Sequence, residues 1–178
     1  MKNLLIILVL LVSVSSCRKF LTCNDAPIST RSAVVGNPLR TDGYYVGDPH
    51  LDYKGDTGVT MYILYHNGTL MYSGHTGSNC DDYIITLAKS MDQIKKSKSS
   101  WGNFHIADTS LKIEYWEPSI CGCPAYLLNG KIINDSTFIL YHRQKKDPDG
   151  ETFNGDIYQE FHFHQFNIKP DSTNPYVN

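Results

Sequence analysis

Apolar and polar residues alternate along most of the chain after residue 40, which is the pattern of strands with one buried face. In one such segment Leu111, Ile113 and Tyr115 share a face, whereas Lys112 and Glu114 share the other. Seven further segments are rich in β-branched and aromatic residues and are bounded by turn residues. The eight predicted strands are 41–46, 59–66, 69–75, 101–107, 111–117, 125–133, 137–143 and 157–166.

One segment has a helical period instead. Its apolar residues recur at spacings of three or four, which is the periodicity of one face of an α-helix. These residues are Ile84, Leu87, Met91 and Ile94. The pattern predicts a helix over 80–97, between the third and fourth strands, with its apolar stripe against the strands.

The connections between the predicted strands alternate between short and long. Asn67-Gly68, in the first short connection, is typical of a type I′ hairpin turn, in which both central residues have positive φ. Alternate connections of an antiparallel meander lie at the same end, so the four long connections are expected at one mouth. The sequence therefore predicts a mainly β fold: an eight-stranded antiparallel up-and-down barrel with one helix between the third and fourth strands.

Short motifs add a resemblance to a known family. Gly43-Tyr44-Tyr45 is similar to the Gly-x-Trp motif of lipocalins, with Tyr in place of Trp, and Asn134-Asp135-Ser136 loosely resembles their Thr-Asp-x turn. The chain departs from the family because Lys169, not an arginine, follows the last strand, and because the helix comes earlier. The resemblance covers residues 39–168 and implies a lipocalin-like barrel.

The first 16 residues have the pattern of a secretion signal, with Lys2 followed by an aliphatic run over 4–12. This run is too short for a membrane-spanning helix, which needs about 20 residues. Val14-Ser15-Ser16-Cys17 resembles the bacterial lipobox, which implies that Cys17 is lipidated after cleavage. The alternative is an ordinary cleaved signal with an incidental cysteine.

Further features resemble Bacteroidota lipoproteins, among them the C-terminal segment that contains Asp171-Ser172-Thr173. Arg18, and not aspartate, follows Cys17, and no acidic cluster follows it. The resemblance therefore implies attachment to the outer membrane on the periplasmic side. The expected domains are a signal peptide over 1–16, a flexible tether over 17–38, the barrel over 39–168 and a tail over 169–178.

Composition agrees with a strand-rich chain and limits the possible partners. The 12 tyrosines and 7 phenylalanines favour strands, where aromatic residues pack well. The formal net charge of −2 has the wrong sign for a nucleic-acid-binding surface. The expected partners are the membrane, through the lipid, and a small apolar ligand or a periplasmic protein.

The remaining cysteines are candidates for disulfides, which persist in an oxidising compartment. They are Cys23, Cys80, Cys121 and Cys123. Cys80 and the pair in Cys121-Gly122-Cys123 belong to connections at the same end of the predicted barrel, so a disulfide between them is possible. A metal site at the pair is the weaker interpretation, because no second closely spaced Cys/His pair lies near it.

Catalytic signatures of the common hydrolases and nucleotide-binding enzymes do not occur in the sequence. His162-Phe163-His164 places two imidazoles on one face of the last strand, but they point outward if Phe161 and Phe163 fill the barrel. We therefore expect neither an enzyme nor a cofactor, with a metal-dependent enzyme using His162 and His164 as the least favoured hypothesis.

Aromatic and polar residues near the long connections indicate a ligand site at that mouth. The candidate ligand-binding residues are His75, Trp101, Trp116, Tyr126, His142 and Tyr158. The same rings could instead plug the barrel. The leading hypothesis is a lipid-anchored periplasmic barrel that binds a small, partly apolar ligand, and the alternative is an interaction module, such as an accessory subunit or an inhibitor of a periplasmic enzyme.

Overall fold

The computed structural model describes residues 29, 31–34, 36, 38–51, 57–76, 80–117, 124–146 and 152–177. Its strands are β1 (Gly43–Gly47), β2 (His50–Leu51), β3 (Thr57–Leu64), β4 (Thr69–Thr76), β5 (Trp101–Ala107), β6 (Ser110–Trp116), β7 (Ala125–Asn134), β8 (Thr137–Lys146) and β9 (Thr152–Gln165). Its helices are α1 (Cys80–Lys89), α2 (Met91–Ile94) and a 3-10 turn (Lys98–Ser100).

The eight long strands form a closed antiparallel barrel. Each strand from β3 to β9 pairs with its neighbour in sequence, and β1 closes the barrel by pairing with both β9 and β3. The two-residue strand β2 pairs with the start of β3 at the rim. The predicted mainly β fold, the up-and-down order and the helix between the third and fourth long strands are confirmed.

Two strands extend further than the sequence pattern predicts. Pairing between β8 and β9 continues to Lys146 and Thr152, although prediction ended the first of these strands at 143 and began the second at 157. The added residues are mostly polar on both faces. A strand pair without an apolar face has no alternating pattern, so the sequence gives no signal for it.

The hairpin between β3 and β4 corrects the predicted type I′ turn. Gly68 has φ of 81°, but Asn67 is not among the described residues with positive φ. The loop is longer, because Tyr65 N donates to Thr69 O at 3.0 Å and Gly68 N to Tyr65 O at 2.9 Å. Asn67 Oδ1 accepts from Thr69 N, which stabilises a turn with a single left-handed glycine.

Two apolar clusters lie on opposite sides of the barrel wall. The inner cluster includes Tyr62 and Leu64, whereas the outer cluster includes Met61 and Ile63. Helix α1 covers the outer cluster, where Ile84 is 1% exposed. This cover explains why both faces of β3 are apolar.

The end of the barrel with the short turns is filled. The Tyr45 hydroxyl lies 3.0 Å from Asp135 O and 3.1 Å from Arg40 O, and Tyr45 itself is fully buried. Phe138 and Phe161 stack beside it with their ring centroids 4.8 Å apart. These side chains fill this end of the barrel, and the cavity that the described residues line lies toward the opposite mouth.

The segments on either side of the barrel pack against its outside. Ser29 N donates to Glu114 Oε2 at 2.9 Å, within the region predicted as a tether. In the C-terminal segment, Lys169 Nζ donates to Leu64 O at 2.5 Å and lies 4.1 Å from the centroid of the Tyr65 ring. The packed part of the chain therefore includes residues on both sides of the predicted 39–168 domain.

Candidate functional site

The barrel has a cavity of about 440 Å³ at the mouth where the strand ends flank the four longer connections. This volume lies within the range of small-molecule sites, which begins at roughly 300 Å³. Its wall includes Thr60, Tyr62, Tyr72, Tyr115, Arg143 and Gln159. The sequence left open whether the rings at this mouth plug the barrel or line a pocket; the mouth has a cavity, and the rings that fill the barrel lie at the opposite end.

Two stacked tyrosine rings form an aromatic part of the cavity wall, beside a glycine on β5. Gly102 on β5 pairs with Leu70 on β4 and with Tyr115 on β6, and the ring of Tyr115 stacks on that of Tyr72, two residues beyond Leu70, with centroids 4.3 Å apart. A Cβ at Gly102 would collide with the carbonyl oxygen of Glu114 and lie 2.9 Å from Tyr115 Cβ. The close approach of β5 to β6 beside Tyr115 therefore requires glycine at this position.

The stack continues to a guanidinium group. Tyr115 stacks on Tyr126 with centroids 5.6 Å apart and an interplanar angle of 20°. The Arg143 Cζ atom lies 3.9 Å from the centroid of the Tyr126 ring. Three tyrosine rings and one planar cation thus form a continuous series along the open half of the inner wall.

Among the described residues Arg143 has one ionic partner, and one of its donors is buried without a hydrogen-bond partner. Its Nη2 donates to Glu117 Oε2 at 2.9 Å, whereas its Nε is buried with no hydrogen-bond partner among the described residues. Burial lowers the pKa of this guanidinium, but Tyr115, Tyr126 and Glu117 together raise the pKa by a larger amount. The net pKa therefore lies above its ordinary value. Arg143 is therefore a permanent cation at the cavity.

Three tyrosines of the cavity, Tyr62, Tyr72 and Tyr115, are uncharged under physiological conditions. Burial raises the pKa of Tyr62 and of Tyr115 well above the ordinary value, and it also raises the pKa of Tyr72. Their hydroxyl groups therefore keep their protons and can donate as well as accept hydrogen bonds. Leu128, Leu140 and Ile157 supply the apolar part of the lining.

Two of the six residues predicted to bind ligand lie on the inner wall or at the rim. Tyr158 lines the cavity at its rim with 73% of its surface exposed. Tyr126 packs against Arg143, as described above. The structure places His75 within β4, opposite Val59 on β3, and its side chain lies outside the described residues.

The structure places the other three predicted residues on the outer face of the barrel. Trp101 and Trp116 are 0% and 1% exposed in the outer cluster. His142 lies 3.1 Å from Asp156 Oδ1, and it pairs with an outward position on β7. The sequence contained a signal for Trp116, because the alternation that turns Leu111 and Tyr115 inward turns Trp116 outward.

The sequence pattern did not identify Arg143 and Glu117, whose charged side chains form an ion pair at the cavity. The pairing of β8 shifts by one residue between Leu140 and His142. Without this bulge, the alternation that turns Leu140 inward would turn Arg143 to the outside. A bulge of this kind leaves no clear mark in the sequence, so Arg143 could not be assigned to the interior.

Other predicted sites have different outcomes. Four of the five cysteines lie outside the described residues: Cys17, Cys23, Cys121 and Cys123. Cys80 is half-buried at the start of α1, so the disulfide remains a prediction.

The two histidines of the last strand lie outside the barrel. Phe161 is buried inside the barrel, whereas His162 and His164 are exposed on the outer face. Within the described ranges, no group of three or more His, Cys, Asp or Glu side chains is arranged to hold a metal ion.

A second cavity, of about 390 Å³, lies on the outer wall beside the N-terminal segment. Here the Ser29 hydroxyl lies 2.5 Å from Glu114 Oε2 and 3.0 Å from His105 Nε2. Ser32 Oγ lies 3.0 Å from the other ring nitrogen of His105. Because these groups satisfy one another, we interpret the network as the attachment of the N-terminal segment to the wall.

Comparison with protein-family models, with curated proteins and with solved structures finds no match for this chain. In the part of the chain that the structure describes, no helix has the length and apolar character needed to cross a bilayer.

Proposed function

We propose that this protein binds a small, partly apolar ligand in the open half of its barrel. The observation that carries the proposal is the cavity of about 440 Å³, which opens at one mouth and has a wall of tyrosine rings. Ligand sites of this kind combine apolar and aromatic walls with a few fixed polar groups. Here Leu128 and Leu140 provide apolar surface. The tyrosine hydroxyls, Gln159 and Arg143 provide the polar groups.

Filling the cavity is expected to abolish this binding. Thr60 lies on the cavity wall opposite Gly74, where a Cβ would meet no atom within 4 Å, so a larger ring at position 60 has room to enter the cavity. We expect Thr60→Trp to weaken binding of the uncharged fluorescent probe N-phenylnaphthylamine by about tenfold or more, since it occupies the space of the ligand. Fluorescence titration measures this affinity.

Ile133→Trp is the matched control for this experiment. Ile133 is 52% exposed near the closed end of β7, so the same new ring lies far from the mouth and should leave the affinity for the probe within about twofold of the wild type. Equal affinity in Thr60→Trp and wild type, or no binding by the wild type, would contradict the proposed function.

The proposal also includes the location of the protein, which depends on the resemblance of residues 14–17 to a lipobox. In this proposal Cys17 carries the lipid, the signal over 1–16 is removed, and the barrel is held at the outer membrane on the periplasmic side. Several acyl chains on one cysteine would make the attachment effectively permanent, because each buried methylene contributes about 0.8 kcal/mol.

Lipid attachment is expected at Cys17 alone. Radiolabelled palmitate should enter the wild-type protein but not Cys17→Ala, which should also leave the membrane fraction. Cys23→Ala is the matched control and should be labelled like the wild type, because Arg18 and Lys19 separate Cys23 from the apolar run. Normal labelling of Cys17→Ala would show that the anchor is wrongly assigned.

A further inference from the structure

Arg143 is a cation on the cavity wall with a buried donor that has no partner among the described residues. The acidic residues among the described lining are Asp48 and Glu117, and His50 lies at the rim. Arg143 is the one Arg or Lys among the described lining residues. Its planar side chain lies against Tyr126, which fixes the direction in which its donors point.

Glu117 holds this cation from the edge of the site. It follows β6 directly, and its side chain is 38% exposed, compared with 35% for Arg143. The contact that joins them uses Arg143 Nη2 and Glu117 Oε2, and it leaves Nε unsatisfied. A partly exposed ion pair contributes little to stability, so exchanging one carboxylate for another has a low cost.

An acidic group on a ligand can satisfy Arg143 better than Glu117 does. The guanidinium presents Nε and an Nη donor side by side, and an oxoanion can accept from both in a planar, bidentate pair. Such a pair would use the donor that is now buried without a partner, which is costly to leave unsatisfied. The same anion would lie next to the tyrosine wall, on which a planar or apolar body can pack.

From these contacts we infer that the ligand is an organic acid, and that Arg143 binds its acidic group by exchanging Glu117 for it. Glu117 is then a built-in competitor of the ligand at the mouth. This inference rests on the proposed function and narrows it to amphipathic anions with a single oxoanion group.

A pair of probes that differ in one charged group tests this exchange. Anilinonaphthalene sulfonate is an acid, and N-phenylnaphthylamine has the same ring system without the sulfonate. Removing the competitor with Glu117→Gln should strengthen sulfonate binding by about three- to tenfold, whereas Arg143→Gln should weaken it by about tenfold or more. Because both residues line the cavity, the measured quantity is the ratio of the two affinities, and each variant should change binding of the sulfonate by more than it changes binding of the uncharged probe.

Control variants separate the local contact from the change in net charge. Asp108→Asn and Lys131→Gln make the same charge changes at exposed positions near the closed end, and asparagine tolerates the φ of 54° at position 108. We expect both controls to bind the two probes like the wild type. If Arg143→Gln does not fold, Arg143→Lys keeps the charge without the planar fork and should still lower the affinity for the sulfonate.

The outcomes separate this inference from the proposed function. If the wild type binds the uncharged probe but Glu117→Gln leaves sulfonate affinity unchanged or lowers it, the exchange is wrong and the binding function stands. If either Arg143 variant binds the sulfonate as the wild type does, the exchange is equally wrong. If the wild type binds neither probe, the proposed function fails.

Discussion

Raising the pH above about 10 is expected to unfold the barrel cooperatively, because its buried tyrosines can ionise only after the chain unfolds. Burial raises the pKa of each of these tyrosines above the ordinary value of 10. They are Tyr45, Tyr62, Tyr65, Tyr72 and Tyr115. Since their folded-state pKa values are raised, the stability they support is fully present below pH 10 and is lost as the pH rises further.

The size of this effect is comparable to the stability of a whole domain. Each tyrosine that ionises only in the unfolded state costs about 1.4 kcal/mol of unfolding free energy for each pH unit above its unfolded pKa. Five such groups cost up to about 7 kcal/mol per unit, whereas domains are stable by about 5–15 kcal/mol. The transition should therefore fall within about two pH units above pH 10.

Lys169 acts in the opposite direction over a lower pH range. Burial lowers its pKa from 10.5 to about 8, so between these values the unfolded chain binds more protons than the folded one. This single group should make the protein slightly more stable as the pH rises from about 8 to 10, relative to Lys169→Met, before the tyrosines dominate.

Circular dichroism and tyrosinate absorbance, followed together, measure the alkaline transition. Loss of strand signal and ionisation of the buried tyrosines should coincide. Tyr62→Phe removes one fully buried hydroxyl group and should make the transition less steep. Gradual ionisation of all tyrosines in a protein that keeps its strand signal would show that these side chains are not buried as described.

Replacing Trp101 is expected to be among the most destabilising single changes in the chain. The side chain is 0% exposed, and its Nε1 donates to Ile94 O at 3.2 Å, which ties the end of α2 to the outer wall. Trp101→Ala leaves a large cavity in the outer cluster and should cost about 3–5 kcal/mol of unfolding free energy. Thermal unfolding should show a decrease in Tm of about 6–20 °C.

Replacing Trp101 should lower stability without weakening probe binding, whereas replacing Tyr158 should weaken probe binding with little change in stability. Trp101 lies outside the barrel wall, so Trp101→Ala should keep the affinity for N-phenylnaphthylamine at temperatures where it is folded. Tyr158→Ala removes a rim side chain that is 73% exposed and should change stability by at most about 0.5 kcal/mol while weakening probe binding. A folded Trp101→Ala protein that no longer binds the probe would place Trp101 in the site after all.

The sequence predicts the barrel well because its main signal, alternation, depends on a wall with one apolar inner face. In β6 this alternation gives both the strand and the inward side of Leu111, Ile113 and Tyr115. Where the outer face is covered, as in β3 under α1, the two faces are equally apolar and their directions cannot be assigned. The lining of the cavity is set by which side chains point inward. The sequence therefore predicted only part of this lining.

Local backbone geometry accounts for the remaining differences. The bulge between Leu140 and His142 turns Arg143 inward, and the hairpin at Gly68 has a longer loop than the predicted type I′ turn. Both are set by the hydrogen bonds of a few backbone groups, which residue types specify weakly.

The pairing of β1 with β9 has a consequence for the order of events in folding. The ring of strands closes only when Tyr45 meets Phe163, and these residues are separated by most of the chain. Contacts of such high sequence separation make folding slow, because a long loop must close before the contacts form. A growing chain therefore has two open sheet edges until β9 has emerged, and these edges can pair with other chains during that time.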